Sequence, residues 1–222
     1  MAKHIVKLLS TEHVTHNVLR LAVERPSDYA FTPGQATDVA INVPKWEKEL
    51  RPFTFTGLND WDHLEFTIKS YPHNGVTQQL ATLKPGDELL LHDVFGAIHY
   101  QGEGTFIAGG AGVTPFIAIL RQLREERQLG SNRLIFSNNT EKDIILRDEF
   151  QSMLGDRFIN TLTEEKTERY DNRMIDQTYL KEKLGDFDQY FYICGPDPMV
   201  EAVKKSLEAL GAPSEKIVIE QF

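Results

Sequence analysis

Three glycines in four residues, Gly109-Gly110-Ala111-Gly112, stand between a short apolar run at residues 105–108 and an amphipathic run at 116–123. The order reads as strand, tight turn and helix. Glycine reaches backbone conformations closed to other residues and lets a ligand approach without a Cβ in the way. A helix that starts at such a turn offers unpaired N–H groups and the positive end of its dipole to a phosphate. A dinucleotide is therefore the expected guest. The spacing is Gly110-x-Gly112-x-x-Pro115, with a proline where a Rossmann fingerprint has its third glycine. Thr114 suits the N-cap and Pro115 the first helical position, where a missing N–H costs nothing and φ is already set. An ordinary strand-to-helix turn is the competing reading.

The chain changes rhythm just before this stretch. Up to residue 100 it alternates short β-like runs, at 5–9, 18–23, 37–41, 51–56, 64–68, 88–92 and 97–100, with turn residues such as Thr32-Pro33-Gly34 and Lys84-Pro85-Gly86-Asp87. One short helix is expected at 76–83. This spacing predicts an antiparallel β-barrel or sandwich. Beyond residue 104, strands at 105–108, 133–137, 157–162, 190–194 and 217–219 alternate with helices at 115–129, 146–154, 176–184 and 197–210. That pattern predicts an α/β domain with a parallel five-stranded sheet and right-handed crossovers. Two domains are thus expected, residues 1–102 and 103–222, and 222 residues with 41% hydrophobic content can furnish both with cores.

Composition removes several function classes. The single cysteine, Cys194, excludes an internal disulfide and any iron–sulfur cluster ligated by cysteines of this chain alone. With 33 acidic against 24 basic residues, a net charge of -9 argues against nucleic acid or an anionic membrane as the main partner. No apolar run approaches the roughly 20 residues of a membrane helix, and no apolar signal region follows Met1, so a cytoplasmic setting is expected.

Four further stretches hold candidate chemistry. Arg51-Pro52-Phe53-Thr54 places a permanent cation, an aromatic face and a hydroxyl within four residues, suited to a pyrophosphate, a ring and a ring nitrogen. A surface arginine beside a core phenylalanine would look the same. Gly75-Val76-Thr77-Gln78 repeats the glycine-then-helix logic and suits a second phosphate, or is simply a capped helix. Cys194-Gly195-Pro196-Asp197-Pro198-Met199 follows a strand, and Glu220-Gln221-Phe222 ends the sequence on an aromatic that has no reason to face water unless it covers something apolar. Two other patterns resolve to structure: Tyr179-x-x-x-Lys183 has the spacing of short-chain dehydrogenases but falls on a charged helix expected to be exposed, and His13-x-x-His16 reads as a polar strand turn, with no metal site expected.

Taken in order, these motifs resemble the ferredoxin–NADP reductase family, flavoproteins in which a flavin-binding β-barrel precedes a nicotinamide-dinucleotide domain. The resemblance spans essentially the whole sequence: Arg51-Pro52-Phe53-Thr54 for the flavin motif, Gly75-x-Thr77 for its phosphate motif, Gly109-Gly110-x-Gly112-x-Thr114-Pro115, Cys194-Gly195-Pro196-x-Pro198-Met199 and Glu220-Gln221-Phe222. It implies that Arg51 and Pro52 lie at the flavin phosphate portion, that Phe53 and Tyr71 pack on the flavin, and that Thr54 lies near its N5. Ile68 and Lys69 are implied to line the same cofactor, and Gly75, Val76, Thr77 and Gln78 its pyrophosphate. Gly110, Gly112, Val113 and Thr114 are implied to face the nicotinamide nucleotide, with Cys194 and Gly195 near its hydride-bearing carbon and Pro196 and Met199 as further cofactor-binding residues. Glu220 and Phe222 are implied at the reacting centre, Phe222 stacked on the flavin. Phenylalanine at 53 replaces the usual tyrosine, which removes one hydroxyl and keeps the ring.

The resemblance implies a flavin-dependent NAD(P)H oxidoreductase that passes hydride to FAD, favoured over FMN because Gly75 offers a second phosphate site. The expected acceptor is separate: a ferredoxin, a flavodoxin or a small molecule such as free flavin or a ferric chelate. NADH is favoured over NADPH. Residues 137–143, Ser-Asn-Asn-Thr-Glu-Lys-Asp, follow the second strand of the α/β half, where Asn138 and Asp143 are expected at the adenosine ribose. The carboxylates of Glu141 and Asp143 oppose a 2′-phosphate, the nearby Lys142 and Arg147 count the other way, and the segment is similar to the NQTEKD segment of cytochrome b5 reductases, which use NADH. Two alternatives stay open: a flavin-free Rossmann-type dehydrogenase, which would be colourless, and a non-catalytic electron-transfer or regulatory subunit, whose flavin NADH would not bleach.

Overall fold

A computed structural model of the chain describes residues 3–72 and 75–219. They gather into two compact units, Met1–His99 with Thr114–Gln122, and Tyr100–Val113 with Leu123–Phe222.

The first unit is an antiparallel sheet of six strands, β1 (His4–Thr15), β2 (Val18–Glu24), β3 (Ala36–Ile41), β4 (Arg51–Thr54), β5 (His63–Lys69) and β6 (Glu88–Phe95), in the order β4-β3-β6-β1-β2-β5. Its two edges meet. Beyond β4, Phe55 bridges to Phe66 of β5 and the Thr56 amide donates to the Glu65 carbonyl at 2.9 Å, so the sheet curls into a barrel. Period-two alternation fills the interior: Val6 and Leu8 of β1, Leu19, Leu21 and Val23 of β2, and Leu89 and Leu91 of β6 pack around Phe55 and Phe66. Helix α1 (Val76–Leu80) buries Val76 and Leu80 in the same core.

The second unit holds five parallel strands, β7 (Gly104–Gly109), β8 (Arg133–Asn138), β9 (Phe158–Leu162), β10 (Tyr190–Cys194) and β11 (Ile217–Ile219), in the order β11-β10-β7-β8-β9. Every residue of β7 is buried, as expected of the central strand of a parallel sheet. Helix α2 (Thr114–Glu125) follows β7, α3 (Arg147–Leu154) follows β8, α4 (Gln177–Lys183) follows β9 and α5 (Asp197–Ala209) follows β10. Because the chain adds strands to one side of β7 and then crosses to the other, the order reverses between β7 and β10. Ligands of open α/β sheets bind outside the carboxyl ends at such a reversal.

Of the boundaries that differ from the sequence expectation, three have a clear local cause. Residues 97–100 form no strand; β6 runs on to Phe95, and Gly96, at φ +122°, turns the chain out of the ladder. Helix α2 ends at Glu125 rather than 129, because Arg127 takes a left-handed conformation and the Gln128 amide closes on the Leu123 carbonyl at 2.7 Å. The helical path also begins earlier: Gly110–Val113 is already a 3-10 turn, so Thr114 is helical and not the N-cap. Among the described residues no helix is long and apolar enough to cross a membrane.

Candidate cofactor and dinucleotide sites

At the carboxyl end of the second unit's sheet, the register pairs Ala108 of β7 with Cys194 of β10, so the turn after β7 and the stretch from Cys194 to Met199 leave the sheet side by side. Their backbones touch. A Cβ on Gly112 would lie 2.5 Å from both the Cys194 carbonyl carbon and the Gly195 nitrogen. One on Gly195 would lie 3.1 Å from the Gly109 nitrogen, and one on Gly109 would meet Pro196 Cδ at 3.0 Å and the Met199 sulfur. Gly112 is therefore needed to let the two turns pack, and Gly109 and Gly195 are crowded by the same approach. Gly110 is different. Its φ of +53° requires glycine for conformation, while the space a Cβ would enter is open. Of the loop's glycines, Gly110 is the one positioned to offer its backbone to a ligand.

One strand further along, Asn138 ends β8. It is 4% exposed, and neither atom of its side-chain amide has a hydrogen-bond partner among the described residues. A buried amide left unpaired costs about 1–3 kcal/mol per missing bond, so its presence at the ligand-binding edge fits a dinucleotide that completes it. Asp143, expected beside it, is tied into the turn. Its carboxylate accepts from the Thr140 amide at 3.0 Å and the Thr140 hydroxyl at 2.5 Å, a capping box on the turn of residues 141–143. Glu141 pairs with Arg147 at 2.8 Å. The half-buried Cys194 stands at the end of β10.

The first unit collects the flavin candidates. Arg51 and Pro52 are exposed on β4, while Phe53 and Thr54 are half buried and the Phe53 ring packs against the barrel core. The Arg51 guanidinium donates to the Leu50 carbonyl at 2.6 Å and lies 3.7 Å from the Glu49 carboxylate, so an anion meets a guanidinium in reach of water. Tyr71 is 53% exposed, with Lys69 Nζ 6.0 Å from its ring centre, and its amide donates to the Thr77 hydroxyl at 3.2 Å. An exposed aromatic beside a cation is a stacking face in want of a partner. Gly75 opens α1, and nothing lies within 4 Å of the position its Cβ would take. These features fit a flavin nucleotide: a cation and an open glycine turn for phosphate, and ring faces for the flavin.

Other expected residues are less open to a ligand or lie outside the described residues. Ile68, Val76 and Val113 bury their side chains, leaving only backbone for a cofactor. Glu220 and Phe222 lie outside the described residues. Tyr179, expected on an exposed helix, is fully buried; burial pushes its hydroxyl pKa up, and Lys183 is held by Asp171 at 2.7 Å.

The sequence reading missed one cluster entirely. Within the first unit, Arg121 of α2 donates to the Glu65 carboxylate at 2.6 Å and to the Thr56 carbonyl at 2.8 Å, with its guanidinium 5.4 Å from the Trp61 ring centre. Arg121 is 3% and Glu65 5% exposed. The Thr56 hydroxyl donates to the same carboxylate at 2.8 Å. The signal was available as one cation amid the apolar residues of Phe116-Ile117-Ala118-Ile119-Leu120.

Comparison with known proteins agrees with this division of labour. Residues 5–100 match the oxidoreductase FAD-binding domain family and residues 106–205 the oxidoreductase NAD-binding domain family. NADH-cytochrome b5 reductase 1 of Coccidioides immitis is 31% identical over 229 residues, covering 92% of this chain and 74% of the relative. The reductase component of propane 2-monooxygenase from Rhodococcus jostii is 30% identical over 223 residues, covering 92% of this chain and 59% of the relative. In fold, the cytochrome b5 reductase domain of Ulva prolifera nitrate reductase aligns with a TM-score of 0.86 at 23% identity, covering 98% of this chain and 97% of that one.

Proposed function

Because the chain belongs to the ferredoxin–NADP reductase-like family of flavoprotein oxidoreductases, which includes the NADH-cytochrome b5 reductases, we propose that it takes hydride from NADH onto FAD and passes the electrons singly to a separate protein acceptor. Bound FAD supplies a ring that accepts a hydride and returns its electrons one at a time. The protein's part is to bind, orient and screen. Arg51 neutralises the flavin phosphates, with the Gly75 turn presenting backbone to the pyrophosphate, and Phe53 and Tyr71 cover the ring. The Thr54 hydroxyl donates toward N5. Gly110 and Thr114 receive the nicotinamide nucleotide, Cys194 fills a tight position beside its ring without acting as a nucleophile, and Asn138 bonds the adenosine ribose.

The observation that carries this reading is the Asn138 amide, unpaired among the described residues, at the end of β8, one strand from the open Gly110 that follows β7 at the strand-order reversal. The NADH-cytochrome b5 reductases among its relatives support a cytochrome b5-like haem protein as the acceptor, in place of the ferredoxin or flavodoxin expected from sequence. Purified protein should be yellow, and NADH should bleach it without oxygen and then drive reduction of cytochrome b5 faster than of ferredoxin or flavodoxin. Yellow protein that NADH leaves unchanged would overturn the reading; bleaching with no preference for the haem protein would remove only its acceptor.

The Arg51 assignment has a direct check. Arg51→Ala removes a charge-assisted bond worth about 1.5–3 kcal/mol, a loss of roughly 10- to 100-fold in flavin affinity. Desalting should strip flavin from this variant and not from the parent; equal flavin content in both would refute the role.

A further inference from the structure

The turn that follows Asn138 carries more charge than a cap requires. One carboxylate oxygen of Glu141 accepts from Arg147 Nη1 at 2.8 Å and stands 3.8 Å from Arg169 Nη1. Arg147 reaches it from the start of α3, and Arg169 from the loop beyond β9. Two guanidiniums converging on one oxygen is the arrangement by which proteins hold a phosphate. Here the anion is supplied by the chain itself. The Glu141 side chain is fixed over this point by its own backbone: its amide donates to the Glu165 carboxylate at 2.7 Å, and the Thr140–Asp143 capping box locks the turn. Asp148 holds the other edge of Arg147 at 3.1 Å. All three charged partners are part-exposed, so an anion from solution can reach them.

We propose that Arg147 and Arg169 form a latent 2′-phosphate site which the Glu141 carboxylate occupies, and that this occupancy sets the preference for NADH over NADPH. The inference rests on placing the adenosine ribose at the end of β8. Counting the groups at the turn, Glu141, Asp143, Asp148 and Glu165 oppose Lys142, Arg147 and Arg169, so the neighbourhood repels a further anion although it contains two arginines. Neutralising Glu141 alone balances the charges and frees the side of each guanidinium that faced it, with Arg147 still steadied from its other edge by Asp148. Arginine count near the ribose is therefore a poor guide to coenzyme choice in this chain; what the arginines already hold decides it.

The flavin-loaded protein, its Glu141→Gln variant, a Glu141→Gln/Arg147→Gln/Arg169→Gln variant and Asn138→Leu provide the test. Calorimetry with adenosine 2′,5′-bisphosphate and adenosine 5′-monophosphate measures discrimination without relying on turnover, and kcat/KM for NADPH and NADH measures it in the reaction. Glu141→Gln should raise the bisphosphate-to-monophosphate affinity ratio and the NADPH-to-NADH ratio about tenfold, and the triple variant should lose that gain. An unchanged ratio in Glu141→Gln, or a gain that survives removal of both arginines, would overturn the proposal. Asn138→Leu separates the two layers of the argument. If it weakens monophosphate binding while Glu141→Gln changes nothing, the latent site alone is wrong; if it leaves monophosphate binding unchanged, the ribose is elsewhere and the proposal falls with that placement.

Discussion

Gly112→Ala should slow reduction of the flavin by NADH about 100-fold while the protein keeps its flavin. The added methyl would lie 2.5 Å from the Cys194 carbonyl carbon and the Gly195 nitrogen, and against the Cys194 oxygen. All three are backbone atoms where β10, paired with β7 through Cys194, leaves the sheet, so no side chain can swing aside. The turn after β7 or the stretch after β10 must move by roughly 1 Å, a displacement of the size that costs about two orders of magnitude when reacting groups are held in line. The flavin candidates Arg51, Phe53, Thr54 and Gly75 belong to the other compact unit, so flavin content is the internal control. Gly110→Ala makes the informative contrast. There the methyl enters open space and the cost is conformational, about 1–2 kcal/mol at φ +53°. It should raise KM for NADH with kcat largely kept. Stopped-flow traces of both variants read the difference, and equal effects on the hydride step would refute the division of the loop into packing glycines and a ligand-facing one.

That division marks where sequence reasoning stops. The strand-turn-helix order at residues 105–123 and the inward alternation of Val6, Leu8, Leu19, Leu21 and Val23 are local periodicities, and local periodicity is legible in one dimension. The family resemblance was legible for the same reason, since its motifs are short and ordered. Tertiary facts were not. Gly112 must be glycine because a segment some 80 residues away in sequence passes against it, crowding Gly109 and Gly195 as well, and nothing adjacent in the chain says so. The end of α2 misled because Arg127 adopts a left-handed conformation usually given to glycine, so the sequence offered no stop before Gly130. Tyr179 sits among Lys181, Glu182 and Lys183, yet the helix turns its ring inward, where Ile175, Leu180 and Leu184 share its core. Asp143 was read as a ribose ligand from its type and position. Its carboxylate also completes a cap that any Thr-x-x-Asp could make, a role that its position alone did not announce.

Arg121→Met should have the largest effect on stability, lowering it by about 3–5 kcal/mol in urea titrations of the flavin-saturated protein. The size follows from what is left behind. Glu65 is 5% exposed and draws on Arg121, the Thr56 hydroxyl and, at 4.0 Å, Arg20. Losing the guanidinium strands a buried carboxylate and takes a donor from the Thr56 carbonyl. Glu65→Gln is the milder partner, because a neutral amide can still accept from Arg121. The double variant Arg121→Met/Glu65→Leu separates two explanations. If the single variant suffers because a charge is stranded, removing both charges restores most of the stability, since a well-packed apolar pair can equal a buried ion pair. If α2 needs the ion pair itself to seat within the first unit, the double variant stays as weak as the single one. Trp61 reports the local change, its ring lying 5.4 Å from the guanidinium and packed over the position a Gly57 Cβ would take, so its fluorescence should shift in Arg121→Met and largely recover in the double variant. Saturating flavin must be maintained throughout, because loss of a bound cofactor lowers apparent stability by mass action and would imitate the effect. A single variant within about 1 kcal/mol of the parent would mean that water reaches Glu65 and that the cluster is not the buried anchor its geometry describes.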